Sequence, residues 1–249
     1  MAVADQSLAR LRALASPIID EARQRFRRYL PPPRTRPTLG PTPGYGLAWD
    51  VETDAEARKL ALPEGDDPTG AELADIVDGM IAPGDVVVDL GCGTGRIAER
   101  IANQCGELWL VDASERMLEI TRAALGDRPN VRFARCHGAQ VPAIAPASVD
   151  LIICVHVLDR VEREDAYLLL RDIRRMLRTG GMALVVVPNL LSGRHFTTFK
   201  RRAEQDRGRD PRRPRPFTPD EIERLCAAAA LQPMAFDPAD DLRVTLYRR

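Results

Sequence analysis

A chain of 249 residues, 45% hydrophobic and 29% charged, fits one α/β domain with a small addition and has ordinary globular composition. The formal net charge is zero, which excludes a bulk attraction to polyanions, and no apolar run is long enough to cross a bilayer. Five cysteines, at 92, 105, 136, 154 and 226, form no C-x-x-C pair, which argues against a zinc site or a disulfide framework and suits a reducing compartment.

Residues 1–36 read as helical and basic. Ser16-Pro17 is an N-cap followed by proline at the first helical position. Ile18, Ile19, Ala22, Phe26, Tyr29 and Leu30 form an apolar stripe flanked by Arg23, Arg25, Arg27 and Arg28. Such a helix docks on its own domain or on a membrane surface or partner. The segment lacks the apolar core of a signal peptide, so the expected location is cytoplasmic. Prolines then mark a linker with polyproline character over residues 31–43, and residues 1–68 are read as an N-terminal extension. Tyr45 and Trp49 follow in a polar, acidic setting. Thr69-Gly-Ala-Glu72 reads as a capping box opening a helix to about Met80, and the main domain is taken as residues 69–249.

The centre of that domain is Val86-Val-Val-Asp-Leu-Gly-Cys-Gly-Thr-Gly-Arg96. A β-branched run suits a strand buried on both faces of a parallel sheet. Gly91, Gly93 and Gly95 permit positive φ and close approach of a ligand to backbone, and Ile97, Ala98, Ile101 and Ala102 follow at helical spacing. A dinucleotide turn, G-x-G-x-x-G, wants glycine where this chain has Arg96. Residues 108–111 read as the second strand and end at Asp112, roughly 20 residues beyond the glycines, where an acid accepts ribose hydroxyls in nucleotide-binding α/β folds. The chain continues Val111-Asp-Ala-Ser-Glu-Arg-Met-Leu118, with Ser114 placed to cap the next helix.

Together, Asp89 before G-x-G-x-G and the D-x-S-x-x-M-L run resemble the class I S-adenosylmethionine (SAM) methyltransferases. The resemblance covers about residues 70–249. It implies a Rossmann-like, doubly wound seven-stranded sheet, mostly parallel with an antiparallel last strand, and S-adenosyl-L-methionine as cofactor. It implies that Gly91, Cys92, Gly93 and Gly95 approach the methionine and ribose parts of SAM and that Asp89 lies near the methionine amino group. Asp112 would take the ribose hydroxyls, and Ala113 and Met117 would flank adenine. The family's adenine-binding aspartate is matched here by His137, which could accept from the adenine amino group only as a neutral ring. Gly138 and Ala139 could serve with their backbone.

Residues 131–136 read as a third strand, and residues 151–155 as a fourth that ends at Val155 and runs into His156-Val-Leu-Asp-Arg160. Ligands of open α/β sheets bind beyond the carboxyl ends of the strands, which places Val155 at the cofactor and makes His156 a candidate base. The family often carries histidine where Arg160 stands. A helix is predicted over residues 163–177, ended by Gly180-Gly181, then a fifth strand over 182–187.

Residues 188–217 interrupt the pattern. Within 194–215, nine arginines and lysines face Glu204, Asp206 and Asp210. His195 in this stretch is a second candidate base, and the stretch reads as a mobile lid selecting the acceptor, with Phe196 and Phe199 as an apolar wall. Thr218-Pro-Asp-Glu221 is another capping box, and residues 233–236 and 242–247 look like a closing hairpin. The expected activity is methyl transfer to a small-molecule or lipid-like acceptor, anionic in character or presented at a membrane surface through the basic segments. Metal ligands and an RNA-binding module are not recognisable. The alternatives are a non-catalytic SAM-binding or partner-binding protein of the same fold, and a nicotinamide-dependent oxidoreductase, which Arg96 disfavours.

Overall fold

The computed structural model describes residues 69–136, 138–205 and 214–249; the N-terminal extension, the proline-rich linker and His137 lie outside the described residues. Helix α1 (Thr69–Asp78) leads into strand β1 (Val86–Leu90), helix α2 (Arg96–Ile101), β2 (Glu107–Asp112), α3 (Glu115–Leu125), β3 (Val131–Arg135) and β4 (Val149–Val155). A 3-10 turn (Leu158–Arg160) precedes α4 (Arg163–Met176), β5 (Leu177–Pro188), α5 (Gly193–Gln205), α6 (Pro219–Ala228), β6 (Gln232–Pro238) and β7 (Asp241–Tyr247). The sheet has seven strands in the order β3-β2-β1-β4-β5-β7-β6. The first five strands are parallel, and β7 inserts antiparallel between β5 and β6. This is the expected architecture.

The order of strands puts β1 at the middle of the parallel part, with buried side chains on both faces. Val88 and Leu90 join the layer containing Ile152, Leu169 and Phe217. Val87 joins the opposite layer with Ile101, Leu110 and Leu118. Continuous β-branched runs are what a doubly covered strand requires. The chain reverses at β1 and β4, which leave in opposite directions across the sheet, so the carboxyl ends of β1, β2 and β4 converge at the switch point.

Three sequence expectations change. The helix after β4 ends at Met176, and Leu177 is already extended. Gly180 and Gly181 lie inside β5 rather than at the helix end. Gly180 has φ +79° and donates to the Arg248 carbonyl at 2.7 Å. A Cβ on Gly181 would sit 2.8 Å from the Val149 carbonyl oxygen. These glycines admit a crowded strand crossing where the β4–β5 register shifts. Second, the stretch read as a lid contains the thirteen-residue helix α5, and its ends are pinned together. The Leu190 N–H donates to the Phe217 carbonyl at 2.8 Å and the Phe217 N–H to the Pro188 carbonyl at 2.9 Å. Third, Thr218 caps α6 by accepting from the Glu221 N–H, but the Glu221 carboxylate is held by Arg163 at 2.5 Å. The cap is therefore half of a capping box, with Arg163 also stacked on the buried Phe217 ring.

Candidate functional site

The glycine loop is built from positive φ: +80° at Gly91, +56° at Gly93 and +86° at Gly95. Two of these glycines are also required by space. A Cβ on Gly91 would lie 2.2 Å from Val157 Cγ2, and one on Gly95 would lie 2.7 Å from Thr121 Cγ2. The N–H groups of Gly91 and Cys92 both donate to the Val111 carbonyl, which ties the loop to the end of β2. Thr121 on α3 donates to the Gly93 carbonyl at 2.8 Å. Cys92 is buried, and burial pushes its thiol well above the ordinary range, so it is a packing residue at neutral pH.

Two carboxyl groups flank the loop. Asp112 Oδ2 accepts from the Gly93 N–H at 3.0 Å and Oδ1 from the Ser114 N–H at 2.9 Å. Burial raises its carboxyl above the ordinary carboxylate range despite these donors. Asp89, next to the last residue of β1, is almost wholly buried, and burial together with Asp112 pushes its carboxyl up to about 7. The site therefore carries a buried acid and a partly buried one, both disfavoured as anions by desolvation, with Asp112 further opposing ionisation of Asp89.

Beyond β2 the chain lays out a second wall. Ser114 caps α3 through the Met117 N–H, Met117 is buried and Ala113 partly so, and Arg135 Nε donates to the Ala113 carbonyl at 3.0 Å. Gly138 and Ala139 are buried in the segment that follows β3. The segment after β3 is held by groups that sequence reading missed. Asp172, buried on α4, accepts from the Val141 N–H at 2.8 Å, while Arg175 pairs with Asp172 and donates to the Ile144 and Val141 carbonyls. Nothing in the spacing of α4 marks this clamp, because Asp172 interrupts an otherwise apolar stripe and reads as a surface residue.

Val155 ends β4, partly exposed, and His156 follows with φ +54°, its N–H donating to the Val186 carbonyl at 2.9 Å. A left-handed non-glycine residue costs of order 1–3 kcal/mol and is held only when its surroundings over-determine it. Here the next residue, Val157, packs on Gly91. The His156 ring lies between two acids: Nδ1 is 3.9 Å from Asp159 Oδ1 and Nε2 is 3.6 Å from Asp241 Oδ2. His195 Nε2, on α5, is 3.0 Å from Asp241 Oδ1. Both candidate bases thus meet at Asp241, a residue the sequence analysis did not single out. Only the antiparallel insertion of β7 brings it there, opposite Pro188 at the end of β5.

Residues 87–181 match the family model described as a methyltransferase domain. A ubiquinone/menaquinone biosynthesis C-methyltransferase of Cupriavidus metallidurans is 31% identical over 115 residues, 45% of this chain and 46% of that protein. A mitochondrial ubiquinone biosynthesis O-methyltransferase of Schizosaccharomyces pombe is 28% identical over 116 residues, 46% of this chain and 42% of that protein. The chain spans less than half the length of these relatives. Among solved structures, the 1,6-didemethyltoxoflavin-N1-methyltransferase of Burkholderia thailandensis superposes with TM-score 0.62 at 20% identity, over 87% of this chain and 93% of that one. Residues 87–181 thus match a methyltransferase domain, and the chain has the Rossmann-like methyltransferase fold.

Proposed function

We propose that the protein is a SAM-dependent methyltransferase whose acceptor is a small or lipid-like molecule bound beside α5. One observation carries the reading: a buried acid, Asp89, and a partly buried one, Asp112, flank the glycine loop, and desolvation holds both carboxyls above the ordinary range. Such a pair opposes a further negative charge, which a dinucleotide pyrophosphate would bring, and favours a cation. SAM fits these residues, since it carries an ammonium, a sulfonium and no phosphate.

In this reading Asp89 faces the amino group of the methionine part, and Asp112 offers its remaining lone pairs to the ribose hydroxyls. Ala113 and Met117 flank adenine with Gly138 and Ala139, and His137, outside the described residues, accepts from the adenine amino group. Val155 and the loop residues Gly91, Cys92, Gly93 and Gly95 shape the methionine end. Bound SAM supplies an electrophilic methyl group. The chain contributes orientation of two reactants and exclusion of water, which is where most of the acceleration of such a transfer arises.

The acceptor is the finer part of the proposal. The names of the relatives point to quinone-type rings, an apolar body with ionisable hydroxyls. Leu191, Phe196 and Phe199 are exposed, with Phe196 and Phe199 stacked at 6.2 Å, and Lys200, Arg201 and Arg202 follow on α5. An apolar wall beside cations suits such an acceptor, free or presented at an anionic membrane surface. Calorimetry with SAM, S-adenosylhomocysteine and NAD, followed by transfer from tritiated SAM into a cell extract, tests the proposal. Tight NAD binding without SAM binding overturns it.

A further inference from the structure

We propose that Asp241 is a positioning residue that holds His195 as the proton acceptor of the reaction, with His156 as the link from this pair to the glycine loop; the inference rests on the methyltransferase reading above. The geometry separates the two histidines. Each ring nitrogen of His156 faces a carboxylate, Nδ1 towards Asp159 and Nε2 towards Asp241, at 3.9 and 3.6 Å. Both are ion-pair separations beyond hydrogen-bond length, so no hydrogen bond fixes the tautomer of His156. His195 engages Asp241 through Nε2 alone, at 3.0 Å. A neutral imidazole that donates from Nε2 carries its lone pair on Nδ1, and the His195 side chain keeps 21% of its surface accessible.

Asp241 is suited to fix that tautomer. Its carboxylate is nearly buried; burial opposes ionisation, but the hydrogen bond from His195 and the neighbouring Arg194 among other groups hold it below the ordinary range. It therefore stays ionised and accepts only. The other charged groups at the cluster belong to the turn after β4. Asp159 is fully buried, its carboxylate oxygens have no hydrogen bond of good geometry, and Arg160 Nε lies 3.2 Å from its Oδ2. This acid and arginine keep the far side of His156 polar and fixed. Contacts run without a gap from Gly91 to Val157, from the adjacent His156 to Asp241, and from Asp241 to His195. The proposed base thus sits on α5, and its orientation is set by the sheet.

The step balances. The acceptor X–H gives its proton to His195 Nδ1 as the X–C bond forms. The C–S bond breaks with its electron pair returning to sulfur, so neutral sulfide replaces sulfonium, and the positive charge passes to the imidazolium, which releases its proton to solvent.

The test uses the full chain, tritiated SAM, and two acceptor probes, a small-molecule cell extract and a short-chain hydroquinone. His195→Gln and Asp241→Ala are expected to lower kcat by about 10²–10³ with the SAM Kd from calorimetry within twofold of wild type. The double variant should be no slower than His195→Gln, since residues acting as a unit are not additive. Added imidazole should restore part of the activity of His195→Gly. Asp241→Asn, nearly isosteric, guards against misfolding of Asp241→Ala and should fall between wild type and the alanine variant. Wild-type kcat in His195→Gln, fully additive losses, or imidazole rescue of His156→Gly instead of His195→Gly would overturn the proposal. So would a wild-type protein that binds SAM but transfers methyl to neither probe. Failure to bind SAM would sink the methyltransferase reading itself; a hydrogen-bonded His195 ring N–H in nitrogen-15 spectra, lost in Asp241→Ala, would then show that the pair exists without that function.

Discussion

Asp112 and Gly93 are joined by a hydrogen bond from backbone to carboxylate, Gly93 N–H to Asp112 Oδ2 at 3.0 Å, while the other carboxylate oxygen takes the Ser114 N–H at 2.9 Å. The acid we propose for the ribose is therefore also the strut that shapes the glycine loop and the start of α3. Its two roles use different lone pairs, since a carboxylate offers about four acceptor sites.

Asp112→Ala removes both. A hydrogen bond to a charged group is worth about 1.5–3 kcal/mol, so SAM affinity should fall roughly 10- to 150-fold. The free protein should also melt lower, because two backbone donors lose their acceptor. Asp112→Asn keeps one acceptor oxygen and should fall between the two. Calorimetry and thermal melts together check this; a variant with unchanged SAM affinity would remove Asp112 from the ribose site.

Asp89 makes a pH-dependent contribution whose sign differs from that of an ordinary paired carboxylate. Its folded-state carboxyl is raised to about 7 against about 3.9 in the unfolded chain. The folded protein therefore holds the proton more tightly. The stability this group contributes is present at acid pH and is lost as pH rises from about 4 through about 7, by at most a few kcal/mol. A cation bound beside Asp89 favours its ionised form, so SAM binding near pH 6 should release a proton from this group. Calorimetry in buffers of different ionisation enthalpy measures that release, and Asp89→Asn should abolish it while raising the stability of the free protein at pH 8. Proton release that persists in Asp89→Asn would assign it elsewhere.

The parallel half of the fold was legible because β1 and β4 are buried on both faces and announce it as unbroken apolar runs, while Asp89 and Asp112 stand at their motif positions. The antiparallel half was legible only as elements. Asp241 meets His156 and His195 through a strand that inserts between two others, and no local signal encodes that neighbour. Gly180-Gly181 misled because glycine serves equally a helix stop and a tight strand crossing. Helix α5 was hidden by composition. The prolines and most of the charge that suggested a loop lie after residue 206, whereas residues 193–205 contain no proline.

Gly91 and Gly95 should tolerate no side chain. Gly95→Ala puts a methyl 2.7 Å from Thr121 Cγ2 at φ +86°, and Gly91→Ala puts one 2.2 Å from Val157 Cγ2 at φ +80°. Backbone strain of order 1–2 kcal/mol adds to the displacement of a packed side chain. Both variants should lose stability and SAM affinity together. Gly84→Ala meets nothing within 4 Å and serves as the control that should leave both unchanged. A Gly95→Ala protein with wild-type SAM affinity would show that the loop yields without loss.

The exposed surface of α5 should act on the acceptor and not on SAM. The carboxylates and glycines proposed for SAM lie at the ends of β1 and β2 and in the turn before α2, whereas α5 follows β5 and meets the sheet through His195 and Asp241. Replacing Phe196 and Phe199 with Ser removes two stacked rings from a wet surface, where each already has about half its area exposed. Fold stability should change by less than about 1 kcal/mol, since exposed positions contribute little. For an acceptor with an apolar body, the loss falls on its binding, so KM should rise with kcat nearly constant. Replacing Arg201 and Arg202 with Ser addresses charge separately: KM should rise at low salt and converge on wild type as ionic strength shortens the Debye length from about 10 Å at 0.1 M to about 3 Å at 1 M. Initial-rate measurements at several salt concentrations, with SAM affinity followed by calorimetry, distinguish the two effects. Loss of SAM binding in either variant would place α5 over the cofactor, and unchanged acceptor kinetics in both would leave its exposed face without a role in selection.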